Sequence, residues 1–583
     1  MANLLSLPNE ILLDIFGYFH SIDLLHAFYG LNYRFNNLLY KQYRSYSFDF
    51  NSISKLTFDM ICQQHLPSIT DRVIALALSN SENSVEQIDL FLAYIPSLNV
   101  FTNVRSLTFE SINSSEKLME IIDQCHQLCN LTSLKLFSYS IEVEQTNIQI
   151  IVNKIWALPK LTHCIFNIYN CAQNHFYMPQ KASSSITYLT IDTSNKIKSN
   201  QLNQLFEHTP CLKHFSACIE YNINENYIPS TFLTLTQLKI TITREYPVQQ
   251  MNLFFQSFLN LRCLGINIWS ILFDGHRWEY MIHNYLPNLQ IFKLRMTGTL
   301  AEDRNIEEQV DELINSFRSS FWIDEHRWFV RCFTADGRKI YLYTLSNTFN
   351  YHEYTMSDSN LFKSTDPHDN EQKLCNSINN IYNETYFDQI TSSHLLLPNI
   401  KYLKIKLPIS DQFWAIIPSL NQLKFLQIYS YVDIFQNQLQ ALFDLAPNLY
   451  SVSIYEDQPS SSYMSIFKSK YTSLHNLCLQ DYARCCNHYF DEDDCVALTS
   501  SSLSIQCKIL SISVTNRENI IYLVENMYNL HLLIVKCKDD KYFKTSPAME
   551  NNDELIPWLK DRLPSTCSIT RDYDDSWVIR IWF

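Results

Sequence analysis

Apolar residues in this chain recur in one small pattern. An apolar position is followed by two variable ones, a second apolar position, one variable position and a third apolar position. Clear copies are Leu131-Leu134-Leu136, Ile186-Leu189-Ile191, Leu235-Leu238-Ile240 and Leu261-Leu264-Ile266, then Ile400-Leu403-Ile405, Leu423-Leu426-Ile428, Leu449-Val452-Ile454 and Leu474-Leu477-Leu479. Looser copies are Val73-Leu76-Leu78, Val104-Leu107-Phe109, Leu161-Cys164-Phe166, Leu212-Phe215-Ala217, Leu289-Phe292-Leu294, Cys507-Leu510-Ile512 and Leu530-Leu533-Val535. Period-two alternation predicts a short strand in each copy, with the fourth and sixth residues facing a core. Segments between the copies carry apolar residues at i, i+3 and i+4, which predicts helices over 116–127, 201–208, 249–259, 437–445 and 518–527. Pro159, Pro287 and Pro447 then stand before the next strand, where a residue without an N–H ends a helix.

The fourth-position residues fall roughly 23 to 33 apart, with one gap of about 110 between Phe292 and Leu403. A strand, a turn and a helix at this period resemble a leucine-rich repeat over roughly residues 70–540. The resemblance implies an α/β fold: a leucine-rich repeat solenoid, or horseshoe, lined by a parallel sheet. The Asn usual after the last apolar position is mostly missing, so irregular strand-to-helix turns are expected. Residues 303–397 break the register. Alternating residues on either side of Asp336-Gly337 predict a hairpin there, and the Asn-, Ser- and Asp-rich stretch 351–394 reads as a partly disordered loop. If that insertion leaves the sheet, strand 289–295 becomes the neighbour of strand 400–406. A helix near 553–562 and two strands, 567–572 and 577–583, are expected to cap the array, with Trp577, Ile579, Ile581 and Phe583 on one buried face. The organisation read from the sequence is a helical module at 1–46, a linker at 47–70, repeats at 71–302, the insertion at 303–397, repeats at 398–540 and a cap at 541–583.

The N-terminal module predicts three short helices. Ile11, Leu12, Ile15, Phe16 and Phe19 form one apolar stripe behind Pro8, Ser21 is a candidate cap for a second helix, and Asn32 for a third. Three such helices cannot bury this many apolar side chains among themselves. Leu7-Pro8-Asn9-Glu10-Ile11-Leu12, Ile15-Phe16, Tyr18-Phe19 and Asp23-Leu24-Leu25 resemble the F-box motif. Phe35 stands where that family most often has Trp, and Asn32 where Cys is frequent. The resemblance covers about forty residues, and an F-box ahead of leucine-rich repeats is a known pairing. It implies docking to a Skp-type adaptor of a cullin-RING ubiquitin ligase. The docking face would be Leu7, Pro8, Ile11, Leu12, Ile15 and Phe16, with Leu24 and Leu25 contributing. The bland reading is a helical cap whose stripe packs on the first repeat.

Composition narrows the alternatives. There are only 6 glycines among 583 residues, no two closer than ten, so no dinucleotide, P-loop, kinase or α/β-hydrolase glycine loop can be present. The net charge of −14 argues against nucleic acid as the principal partner. The 17 cysteines are scattered and mostly within apolar runs, which suits reduced thiols in cytoplasm or nucleus. The first residues do not read as a signal peptide and no run is long enough to span a membrane, so no membrane partner is expected. Cys485, Cys486 and His488 beside the acidic run 491–494, and the group His163, Cys164, Cys171 and His175, are the candidate metal clusters. Paired Cys-x-x-Cys knuckles are missing and Cys164 is a core position, so the acidic run reads as a solvated loop and no cofactor or metal is expected.

The sequence therefore reads as a non-enzymatic substrate receptor of an SCF-type ligase, with the repeats binding a protein target. Alternatives are a repeat scaffold without a ubiquitin role and an enzyme built in the insertion. Residues flanking the fourth and sixth positions face the open side of the sheet. Around the break these are Lys293, Arg295, Lys404 and Lys406, with Tyr402, Phe425, Tyr429 and Tyr455 following. Cations brought together there would suit an acidic or phosphorylated target segment.

Overall fold

The alternation of strand and helix continues through the computed structural model, which describes residues 4–81, 84–112, 114–138, 145–168, 175–192, 196–220, 230–243, 247–335, 338–345, 361–383, 386–389, 395–455, 463–471, 473–480, 488–540, 553–572 and 575–583. The fold is α/β with mostly parallel strand pairs, and it divides into two units, Met1–Gly298 and Thr299–Phe583. Among the described residues no helix is long and apolar enough to cross a membrane.

The first unit opens with α1 (Asn9–Phe16), α2 (Ser21–Phe28) and α3 (Tyr33–Asn37). Pro8 precedes α1, and Asn32 caps α3 by accepting from the Phe35 N–H at 3.0 Å. Ser21 is not a cap: it lies inside α2, buried, and its hydroxyl accepts from the Ser47 N–H at 2.9 Å. Phe16, Phe28 and Phe35 meet around one centre, with Phe16–Phe28 and Phe28–Phe35 centroids 5.0 and 5.4 Å apart. The apolar surplus continues through Tyr43 and Tyr46 to Phe48 and Phe50, stacked along the first strand. Residues 47–70, read as a linker, are regular structure. The strand Tyr46–Asp49 pairs with Val73–Ser79, and the helix Lys55–Met60 and its continuation bury Phe58, Ile61, Leu66 and Ile69.

The strands of this unit are β1 (Tyr46–Asp49), β2 (Val73–Ser79), β3 (Ser106–Glu110), β4 (Ser133–Ser138), β5 (His163–Ile168), β6 (Tyr188–Ile191), β7 (Lys196–Lys198), β8 (His214–Glu220), β9 (Gln237–Ile242), β10 (Cys263–Trp269) and β11 (Ile291–Thr299). They pair in parallel in chain order, except that β8 takes both β6 and β7 on one side. Leu76, Leu107, Leu134, Cys164, Leu189, Phe215, Leu238, Leu264 and Phe292 stand in one register row, each at most 2% exposed. Burial of each such side chain contributes about 1.5–3 kcal/mol, so the row is a main source of stability. The helices Ser115–Cys125, Val248–Gln256 and Gly275–Tyr285 bury Ile121 and Ile122, Phe254 and Phe255, and Trp278 on the other side of this core.

The second unit begins with the helix Ile306–Asn315, capped by Asn305, and the hairpin of β12 (Val330–Ala335) and β13 (Lys339–Thr344). The turn at 336–337 lies outside the described residues. Strand β14 (Phe362–Ser364) joins the free edge of β12. A nine-stranded sheet follows: β15 (Asn380–Ile381), β16 (Tyr402–Lys406), β17 (Phe425–Tyr429), β18 (Ser451–Ile454), β19 (Asn476–Cys478), β20 (Ile509–Val514), β21 (Leu532–Cys537), then β23 (Val578–Trp582) and β22 (Ser568–Arg571), the last two antiparallel.

Two expectations about the insertion are corrected. The stretch 351–394 is not simply a loop: where described, it holds β14, the helix Glu371–Ser377 and β15. Leu374, Cys375, Ile378 and Ile381 are buried, and Arg331 of β12 pairs with Asp369. Nor does the insertion leave the sheet. Both edges of β16 are taken within its own unit, by β15 and β17, so strand 289–295 is not its neighbour. The cap differs as well. Val578, Ile579, Ile581 and Trp582 are all buried, so β23 is covered on both faces, while Trp577 is exposed.

An asparagine rung links successive strands. The side-chain amides of Asn130, Asn260 and Asn288 donate to the carbonyls of Thr102, Leu233 and Leu259 at 2.9, 2.8 and 2.9 Å. In the second unit Asn399, Asn448 and Asn529 donate likewise to Asn376, Asn421 and Ile505. Each stands just before the first apolar position of a copy, so the asparagine missing after the last position has a counterpart ahead of the strand.

Candidate interaction surfaces

The first helix presents one face inward and one outward. Arg34 of α3 donates from Nε to the Asn9 side chain at 2.9 Å and from Nη2 to the Leu7 carbonyl, which ties the start of α1 against α3. Of the eight residues expected to dock a partner, Leu12, Phe16, Leu24 and Leu25 are at most 1% exposed and form the core of the module. They offer no surface, because the aromatic cluster of three helices closes over them. Pro8 and Ile11 remain exposed, and Leu7 and Ile15 are half-buried. Pro8, Ile11 and Ile15 fall at helical spacing, with Ile11 45% exposed, and Tyr18, in the turn after α1, is 91% exposed.

On the sheet of the first unit, the third positions of three successive copies carry rings. His163 stacks on Tyr188 with centroids 5.4 Å apart, and Tyr188 on His214 at 4.1 Å. His214 Nδ1 lies 2.9 Å from Gln237 Oε1, on the next strand. Burial, followed by the charge of Lys239, holds the His214 imidazole below its ordinary range. Beyond Gln237 the same face becomes basic. Lys239, Gly265 and Lys293 stand in register on β9, β10 and β11, with Arg295 two residues after Lys293; Lys213 and Arg262 are exposed just ahead of β8 and β10. The third, fifth and seventh positions of β9, β10 and β11 hold no Asp or Glu.

On the sheet of the second unit, Tyr402, Lys404 and Lys406 face the same way as Phe425, Gln427 and Tyr429. A row of rings crosses the strands: Tyr382–Tyr402, Tyr402–Phe425, Phe425–Tyr450 and Tyr450–His475, with centroids 4.5, 6.5, 6.4 and 5.0 Å apart. The Lys404 ammonium lies 4.5 Å from the centre of the Tyr429 ring, and Tyr429 packs on Tyr455 at 4.8 Å. Burial, and then the neighbouring Tyr429 and Tyr382, push the Tyr402 hydroxyl up to about 12, so it stays protonated. The expected single cluster of four cations is not formed by strand pairing. Lys293 and Arg295 belong to the first unit, Lys404 and Lys406 to the second, because β15 fills the place beside β16.

Sequence reasoning weighed His163 only as a metal ligand and passed over Tyr188, His214, Lys239 and Gly265, and in the second unit Tyr382, Tyr450 and His475. Most stand at second, third or fifth positions of repeat copies. The available signal was the same residue type recurring at one position of successive copies.

The cysteine and histidine clusters divide. Cys171, Cys485 and Cys486 lie outside the described residues. Cys164 is a core residue, His163 belongs to the ring stack, and His175 makes a backbone bridge to Lys196. The acidic run is not a loop: Asp491 caps the helix Glu492–Thr499 and Asp494 completes a capping box, placing the carboxylates at the positive end of the helix dipole. His488 Nε2 approaches Asp494 Oδ2 at 3.4 Å, and burial pushes the Cys495 thiol up to about 12. Among the described residues no group of three or more His, Cys, Asp and Glu is placed to hold a metal ion. No protein-family model matches the sequence, and no curated protein matches it.

Proposed function

We propose that this chain is the substrate-recognition subunit of a cullin-RING ubiquitin ligase of the SCF type. In this reading residues 1–46 are an F-box that docks a Skp-type adaptor, and the strands that follow are a leucine-rich repeat solenoid that binds the target protein on its sheet face. The chain catalyses nothing itself; it raises the local concentration of target lysines near a loaded conjugating enzyme. The observation that carries the reading is the set of apolar residues Pro8, Ile11, Ile15 and Tyr18 left at least partly open along α1 and its two ends, in a segment whose sequence resembles the F-box motif. An open set of this kind on an otherwise packed module suits a partner helix. The rows of rings and cations on the two sheet faces support target binding, since aromatic and basic side chains are enriched at recognition surfaces.

The test uses the exposed residues, not the buried ones. Ile11→Asp with Tyr18→Asp places charges on the outer face without touching the Phe16 cluster. Co-purification of the full chain with the adaptor should be lost while its thermal unfolding stays unchanged. Retained adaptor binding by the folded variant would remove the F-box reading.

A further inference from the structure

The parallel sheet of the first unit ends on β1, and among the described residues no strand lies beside its outer edge. In a parallel pair a residue points its N–H and C=O to the same side, so alternate residues serve opposite edges. The Phe50 N–H donates to the Ala77 carbonyl at 3.1 Å, which turns Phe48 and Phe50 toward β2 and leaves Ser47, Asp49 and Asn51 toward the free edge. Two of the three edge N–H groups are taken locally. That of Ser47 donates to the Ser21 hydroxyl at 2.9 Å, and that of Asn51 to the Asp49 carboxylate at 3.1 Å. Among the described residues the Asp49 N–H and the carbonyls of Ser47 and Asp49 have no hydrogen-bond partner. These groups open into a slot of about 570 Å³ between β1 and the turn from α1 to α2. Phe19, His20 and Asp23 stand on one wall, and Ser47, Asp49 and Asn51 on the other. From Ser47 to Asn51 the wall runs about 13 Å, room for about four extended residues.

Backbone groups and charge together select the occupant. The unpaired groups of β1 stand at ladder spacing, which an extended chain matches; a helix has spent its own N–H and C=O groups internally. Asp23 and Asp49 are exposed in the slot and form no ion pair among the described residues, and His20 is the one basic side chain among the lining residues. Two strands along, on β3, burial and then the charge of Asp49 raise the Glu110 carboxyl, so the negative field continues across the sheet. A nucleic acid or a phosphorylated segment would bring its own charges against these carboxylates. We propose that the slot takes an extended, basic segment of a partner protein, paired to the free edge of β1 as an added strand. Asp49 exchanges two hydrogen bonds with one residue of the segment, and the Ser47 carbonyl accepts a third. Side chains of an added strand alternate between its faces, so Lys or Arg at every second position faces Asp23 and Asp49. The segment enters from the edge of the sheet, and its binding does not depend on the ligase reading.

The test measures binding of the full chain to short fluorescent peptides in which Thr and Val alternate with Lys, with Ser or with Glu. The lysine peptide should bind about tenfold or more tighter than the serine peptide, and the glutamate peptide weakest of the three. Hydrogen exchange at the Asp49 amide should slow on binding, since that N–H gains an acceptor. A lysine peptide with methylated backbone nitrogens keeps its charge and loses its ladder donors, and its binding should be lost. Asp49→Pro removes an N–H that no neighbouring strand uses, together with the carboxylate, and should abolish binding. Asp23→Asn with Asp49→Asn keeps the N–H and should flatten the preference for lysine over serine. Thermal unfolding shows that each variant is folded, and the methylated peptide tests the pairing without altering the protein. Equal binding of the three peptides, full binding of the methylated peptide, or an Asp49 amide whose exchange does not change would overturn the added strand.

Discussion

The ring of Tyr188 lies parallel to that of His214, with 6° between their planes and 4.1 Å between centroids. The two residues are register partners on β6 and β8, so the strand pairing itself brings the rings face to face. His163, on the strand before, covers the other side of the tyrosine. Tyr188 is therefore held on two faces, and each ring contact contributes about 0.5–1.5 kcal/mol beyond buried area. Tyr188→Ala should destabilise the first unit by about 1–2 kcal/mol. Urea unfolding followed by fluorescence is the measurement, and an unchanged midpoint would show that the stack contributes nothing.

Stability should depend on pH in the imidazole range. Burial holds His65, His214, His326 and His531 below their ordinary value. In the unfolded chain they titrate near ~6.5. Between the folded and unfolded values the unfolded chain binds more protons, so stability rises with pH and falls as pH drops through about 6.5. Above that range the four groups are neutral in both states and contribute no slope. The melting temperature should fall between about pH 7.5 and pH 5.5, and His65→Gln should flatten part of the decline. The lowered carboxyl groups of Asp494, Asp539 and Asp553 lose their contribution only further down, as pH falls through the carboxylate range. A flat profile above pH ~5.5 would contradict the imidazole account.

Arg331 and Asp369 form an ion pair whose side chains are 7% and 1% exposed. Arg331 also reaches the Tyr343 hydroxyl at 3.4 Å. Removing one partner leaves a charge buried without compensation, at about 3–5 kcal/mol, whereas replacing both by apolar residues of similar volume is far less harmful. Arg331→Met alone should therefore lower the stability of the second unit more than Arg331→Met combined with Asp369→Leu. A double-mutant cycle by chemical denaturation checks the order; if the double variant is the weaker protein, the pair is a net source of stability.

The asparagine rung should be worth a modest amount at each step. Asn288→Ala leaves the Leu259 carbonyl to exposed solvent and should cost about 0.5–1.5 kcal/mol. Amide hydrogen exchange should quicken on β10 and β11 and stay unchanged on β3 and β4. Uniform acceleration along the chain would mean that the rung is not a local tie.

The spacing of apolar positions along the chain was sufficient to place most of the strands, the side of each that faces the core and the helices between them. A period-two pattern leaves no other register for Leu238, Leu264 and Phe292, because a slip of one residue would turn every apolar side chain outward. The same local pattern carries no information about what covers an apolar face. On α1 it marked Leu12, Phe16 and Ile11 alike, and only the packing of the three helices on one another turned the first two inward and left the third outside. In the insertion, Ile381 lies 22 residues before Leu403, a spacing short for this chain, and its sixth position is Asn383, so the copy was invisible. Pairing with β16 made it a strand all the same, since an unpaired edge costs hydrogen bonds that two residues of β15 restore. Lys239 and Lys293 were each legible as outward residues. Their places on either side of Gly265 were decided by the lateral register of three strands, which depends on contacts between residues more than twenty apart in sequence.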